Sequence, residues 1–87
     1  MYVILVYDIN EDRVMRACKI CRRYLNWVQN SVFEGELTES KLARLKSELS
    51  KLINRECDSV LIYRLRDQKL AAKEVLGVER SPIDNIL

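Results

Sequence analysis

The chain has no histidine among its 87 residues. That absence excludes histidine general acid/base chemistry, Cys–His nucleophiles and His-ligated zinc. Any hydrolytic chemistry then falls to carboxylates, a metal ion, tyrosine or lysine. Glycine occurs twice and proline once, which favours regular elements with short connections. No apolar run approaches the roughly 20 residues a membrane-spanning helix needs. The opening MYVILVYD has no basic lead and no small-residue cleavage site. It reads as mature structure rather than a signal peptide, and a cytoplasmic location is the expectation. Cysteine is limited to Cys18, Cys21 and Cys57. Structural zinc needs four ligands. With no histidine available, Cys18-x-x-Cys21 is expected to be a pair of buried free thiols.

What is present is ordinary for a globular protein: 48% hydrophobic and 32% charged residues. The length predicts one domain over 1–87, with 78–87 as a C-terminal tail. A chain this short buries only about 60–65% of its unfolded surface, so association with a second copy is expected. The net charge of +2 hides an uneven distribution. Arg13, Arg16, Lys19, Arg22 and Arg23 follow one another with no acid between them, while the rest of the chain is mildly acidic. Two readings stand for this segment: a surface facing a polyanion, or a solvated helix face.

Residues 2–7 are continuously apolar or aromatic and rich in Val, Ile and Tyr, which suits a central strand buried on both faces. Asn10 is a good N-cap, and Glu11 and Asp12 suit the positive end of a helix dipole. Val14, Ala17, Cys18, Cys21 and Leu25 then form one apolar stripe, predicting a helix that ends near Asn26. WVQNSVFEGEL, residues 27–37, favours strand. Gln29, Asn30 and Ser31 either turn a hairpin or bend one strand, and Gly35 marks a bulge or a close backbone approach. Phe33 faces opposite to Val32, with Glu34 and Glu36 on the side of Val32. Thr38 caps a second helix striped by Leu42, Leu45, Leu49, Leu52 and Ile53. RECD, residues 55–58, is a turn, and SVLIYRL, 59–65, is a strand. The order is that of an α+β ferredoxin-like βαββαβ sandwich. Its helices cover one sheet face. A second copy is the simplest cover for the other, and the apolar run Val75 to Val78 fits an extra C-terminal edge strand. Most of the aromatics, Trp27, Phe33 and the four tyrosines, alternate with aliphatic residues as core residues do.

Asp8 ends the first strand just before a helix cap, at a sheet edge where clefts form. As a single carboxylate it reads first as turn punctuation and only second as part of a site. One carboxylate is a poor site for a hard divalent cation, but a two-fold axis doubles every residue near it.

MYVILVYDIN, a basic helix, WVQNSVFEGEL, a leucine-striped helix and DSVLIYRL, in that order, resemble the CRISPR-associated protein two family, the small subunit of the spacer-acquisition machinery. The likeness runs through essentially the whole chain, including the late EVLG. The pairing of YD with Q-x-SVFEG is its specific part. The resemblance implies a ferredoxin-like fold in a symmetric homodimer, with the last strand adding to the partner's sheet. It implies one Mg²⁺ or Mn²⁺ shared at the dimer interface by Asp8, with Tyr7 and Phe33 as further catalytic positions. Nucleic-acid contact is implied for the first helix, with Arg13 and Arg16 as nearest candidates and Lys19 and Arg23 continuing the basic run. Two roles follow from it. One is a metal-dependent endonuclease on single-stranded RNA or double-stranded DNA. The other is a non-catalytic bridge between two dimers of the CRISPR integrase. Without the resemblance, the chain reads as an unrelated ferredoxin-like RNA- or ligand-binding module.

Overall fold

The structure is a computed structural model in which residues 1–81 are described. Its elements are β1 (Tyr2–Asp8), α1 (Glu11–Arg22), β2 (Asn26–Gln29), β3 (Val32–Glu36), α2 (Glu39–Leu52) and β4 (Ser59–Leu65), then a 3₁₀ turn at Gln68–Leu70. The strands form one antiparallel sheet in the order β2-β3-β1-β4. This is the expected ferredoxin-like arrangement, with both helices on one face.

Local chemistry starts each helix. The Asn10 side chain accepts from the Asp12 amide at 3.3 Å. Thr38 Oγ1 accepts from the Lys41 amide at 3.2 Å. Each cap satisfies an amide that has no partner inside its helix. Helix α1 stops at Arg22, short of the predicted end near Asn26. The chain tightens through Arg23 N–H to Ile20 O and Tyr24 N–H to Cys21 O. Asn26 is then already in the ladder opposite Glu34. Strand pairing therefore overrides the helical periodicity that Leu25 extends.

Asn30 settles the choice at residues 29–31. Its φ of 43° makes a tight hairpin turn in the left-handed region, which asparagine tolerates. Gly35 is a close approach, since a Cβ there would lie 3.3 Å from Leu25 Cδ2. The bulge lies instead on β2, between Trp27 and Gln29.

The core sits between sheet and helices. Val3, Leu5, Tyr7 and Phe33 reach it from the strands, and Ala17, Cys21, Leu42, Leu45 and Leu49 from the helices. Cys18 and Cys21 are free thiols, half-buried and buried, as expected. Burial pushes the Cys21 thiol up to about 12, with Cys18 adding to the shift, so it stays protonated. The other sheet face is apolar but only partly covered. Register places Ile4 beside Tyr63 and Val6 beside Leu61. Leu61 is 52% exposed and Tyr63 is 55% exposed. One chain thus buries β1 fully on the helix side alone.

Among the described residues the expected extra C-terminal edge strand does not form: residues 75–78 have no regular structure, and Gly77 stands at φ 87°. Of the predicted tail, residues 82–87 lie outside the described residues.

Candidate functional site

Strand alternation separates two neighbours that the sequence places together. Tyr7 points into the core and Asp8 to the open face. The Tyr7 ring stacks on Phe33 with centroids 5.9 Å apart and planes at 29°. Both rings are buried, Phe33 completely. Burial, reinforced by Cys18 and Cys21, pushes the Tyr7 hydroxyl up to about 12, so it stays neutral. Tyr7 and Phe33, the other two expected catalytic positions, thus pack in the core on the helix side of the sheet, while Asp8 stands on its open face.

Asp8 is the last residue of β1, opposite Ser59 of β4, and is exposed. Helix capping is done by Asn10, so Asp8 is not needed for it. Its carboxylate has no hydrogen-bond or ion-pair partner among the described residues. It stands at one end of the exposed apolar strip of Ile4, Val6, Leu61 and Tyr63. No group of three or more His, Cys, Asp or Glu among the described residues comes together to hold a metal ion. A single chain therefore offers one free oxygen ligand pair. That fits a hard cation only when a second copy supplies the same group and the remaining ligands are waters and phosphate oxygens.

The basic helix divides into two parts. The Arg13 guanidinium forks onto Asp58, with Nε donating to Oδ2 at 2.8 Å and Nη2 to Oδ1 at 3.1 Å. Asp58 also accepts the Asn10 amide at 3.0 Å and the Asn54 amide at 2.8 Å. Its side chain is 0% exposed. Arg13, expected to contact nucleic acid, is thus held by Nε and Nη2 on a buried carboxylate, while its Nη1 donates to exposed Asp12 at 3.2 Å. Arg16, Lys19 and Arg23 are exposed. Arg23 pairs with Glu48 of α2, which also accepts from the Tyr24 hydroxyl. Arg16 and Lys19 carry no ion pair among the described residues. All three lie on the helix layer, across the sheet from Asp8, so within one chain the carboxylate and the basic helix belong to different surfaces.

Asp58 escaped the sequence reading. RECD read as a turn, and its partner Arg13 is 45 residues away, beyond any local pattern. The Arg13 fork, followed by the Asn54 and Asn10 amides, holds the Asp58 carboxyl well below the usual carboxylate range. A depressed folded value means that this stabilisation is complete above the ordinary value of 3.8. It is lost as pH falls below that value toward the folded one. The urea midpoint is expected to fall between about pH 5 and pH 2, and Asp58→Asn is expected to flatten that fall. An equally steep acid limb in Asp58→Asn would assign the loss to other carboxylates.

No helix among the described residues is long and apolar enough to cross a membrane. The family described as CRISPR associated protein Cas2 matches residues 1–73. The CRISPR-associated endoribonuclease Cas2 of Methanothermobacter thermautotrophicus is 48% identical over 87 residues, covering 100% of this chain and 96% of its own. The protein of the same name from Thermotoga maritima is 55% identical over 80 residues, covering 92% of each. Among solved structures, a Cas2 crystal structure superposes with a TM-score of 0.87 at 46% identity, covering 94% of this chain and 92% of that one. Streptococcus pyogenes Cas2 at pH 6.5 gives 0.79 at 32% identity, over 88% of this chain and 100% of its own. The family match, the identities of 32–55% and the shared fold extend over nearly the whole of these proteins, which removes the reading of an unrelated ferredoxin-like module: this chain belongs to the CRISPR-associated Cas2 family.

Proposed function

We propose that this protein acts as a symmetric homodimer in CRISPR adaptation, in the cytoplasm, as a metal-dependent endonuclease on phosphodiester bonds. The observation that carries the reading is the unpartnered Asp8 carboxylate at the end of an exposed apolar sheet face. An apolar face of this kind is an interface in waiting. Packing two copies through it brings two Asp8 side chains toward one axis. The Val75–Val78 run, unused within the chain, is then available to the partner's sheet edge.

The two Asp8 carboxylates would hold Mg²⁺ or Mn²⁺. When held there, such an ion would supply acidity to a bound water and offset charge on a phosphate oxygen. The chain's own contribution is to present the carboxylates free of competing donors and to keep the surroundings rigid. Relatives carry the name endoribonuclease, which supports single-stranded RNA as the first substrate to try; double-stranded DNA is the second. A cleavage assay on both, with Mg²⁺ and with a chelator, tests the reading. Cleavage that survives the chelator would overturn the metal requirement, and no cleavage under any divalent ion would overturn the nuclease.

A second reading is favoured by a separate observation. Arg16, Lys19 and Arg23 lie on the helix layer, away from Asp8. That layer suits a duplex held by its phosphates while integrase dimers dock on the same homodimer, a bridging role that needs no cleavage. Arg16→Glu with Lys19→Glu is expected to weaken duplex binding at least about tenfold near 0.1 M salt. It should also flatten the slope of log K against log salt by about 2. Arg13→Glu is unsuited to this test, because it sets an acid beside buried Asp58. Unchanged binding in the double variant would remove the helix from the interface.

A further inference from the structure

Beyond Val6, β1 loses its ladder with β3. The register with β3 ends at Val6 opposite Val32, and one further bond, Tyr7 N–H to Ser31 O at 3.1 Å, closes that side. Asp8 is paired on the β4 side alone, with Ser59. Two residues on, the chain is caught again where the Asn10 amide donates to Asp58 Oδ1 at 3.0 Å. Ile9, between them, is buried and supplies the apolar half of the anchor. From Asp8 to Asn10, the polar contacts to the rest of the fold therefore fall on two adjacent residues, 58 and 59.

Asp58 is itself held from three directions. The Arg13 fork reaches it from the first turn of α1, the Asn10 amide from the β1–α1 junction and the Asn54 amide from the end of α2. A fully buried carboxylate with four donors has one low-energy position, because moving it leaves a buried charge unpaired. We infer that Asp58 is a positioning residue for Asp8, acting through Arg13, the Asn10 amide and Ser59. It sets where the Asp8 carboxylate stands relative to the β4 end of the open face. The inference rests on the reading of Asp8 as the metal ligand. Two carboxylates from two chains meet one small ion only if each is placed to within about 0.5 Å.

The test is Mn²⁺ affinity of the purified, metal-stripped dimer, read from the spectrum of free Mn²⁺ during titration. Four proteins are compared: wild type, Asp58→Asn, Arg13→Lys and Asp8→Asn. Arg13→Lys keeps the charge, loses the fork and is the variant more certain to fold, so it decides alone if Asp58→Asn does not. Asp8→Asn is expected to lose the site. Asp58→Asn is expected to bind about tenfold or more weakly, the usual penalty for losing a group that orients a ligand, and Arg13→Lys a few-fold more weakly. Both should remain folded dimers at the titration temperature. Excess Mn²⁺ should restore their cleavage, so that the metal requirement rises while kcat is kept. Wild-type affinity in folded Asp58→Asn and Arg13→Lys would make the clasp purely structural and overturn the inference. A wild type that binds no Mn²⁺, or an Asp8→Asn variant that binds as tightly as wild type, would instead overturn the metal reading itself.

Discussion

Asp8→Ala is expected to lower kcat/KM for cleavage of single-stranded RNA in Mg²⁺ by at least about 100-fold while leaving the dimer folded. The two halves of that statement have separate causes. Activation of water and stabilisation of charge on a phosphoryl oxygen are together worth several kcal/mol, and nothing else near Asp8 offers a substitute. The described residues contain no other cluster of metal ligands, and no histidine exists to act as base. Stability should hardly change, because the side chain is exposed and makes no hydrogen bond or ion pair among the described residues. Substitutions at such positions stay within about 0.5 kcal/mol. Without metal, the variant should melt no lower than wild type, since two like charges near an axis repel. Melting curves with and without Mg²⁺, beside the cleavage assay, check both halves. The same variant assayed for spacer integration with the integrase separates the two roles. Normal integration without cleavage would show that adaptation needs the dimer and its basic surface but not the nuclease. Cleavage at the wild-type rate in Asp8→Ala would end the case for Asp8.

The second large effect is on stability. Phe33→Ala is expected to cost about 3–5 kcal/mol, as emptying a fully buried aromatic site does. Phe33 is 0% exposed, stacks on Tyr7 and lies opposite Leu5 in the sheet. Small domains have only about 5–15 kcal/mol in total, so this loss brings the chain near its folding threshold. Urea unfolding should show a lower midpoint with an unchanged slope. Phe33→Leu, which keeps much of the volume, should stay folded and cleave at close to the wild-type rate. A folded Phe33→Leu protein as inactive as Asp8→Ala would place Phe33 in the catalytic group.

How much of this was legible beforehand depends on the range of the interaction involved. The helix starts at Asn10 and Thr38 were readable because a cap acts over two or three residues. The leucine stripe of α2 was readable because its period is local. The opposition of Phe33 to Val32 followed from strand alternation. Which side of β1 is the inside was not readable, because Ile4 and Val6 are as apolar as Val3 and Leu5. Tyr7 joined Asp8 in the expected site through the family resemblance, not through that pattern. The short reach of local patterns likewise misplaced the end of α1, where the ladder with Glu34 claims Asn26.

By itself, the sequence determined the order of elements, the caps, the composition of the core and the family motifs around Asp8, all of which rest on contacts between near neighbours or on side-chain period. Only the tertiary structure decided that Asp8 stands on the open face, that Tyr7 and Phe33 lie on the other side of the sheet, and that Arg13 is held by Asp58. Those outcomes depend on which segments meet across the sheet. Arg13 and Asp58 find each other because β1 and β4 pair side by side, and a buried carboxylate claims the nearest guanidinium once water has been excluded.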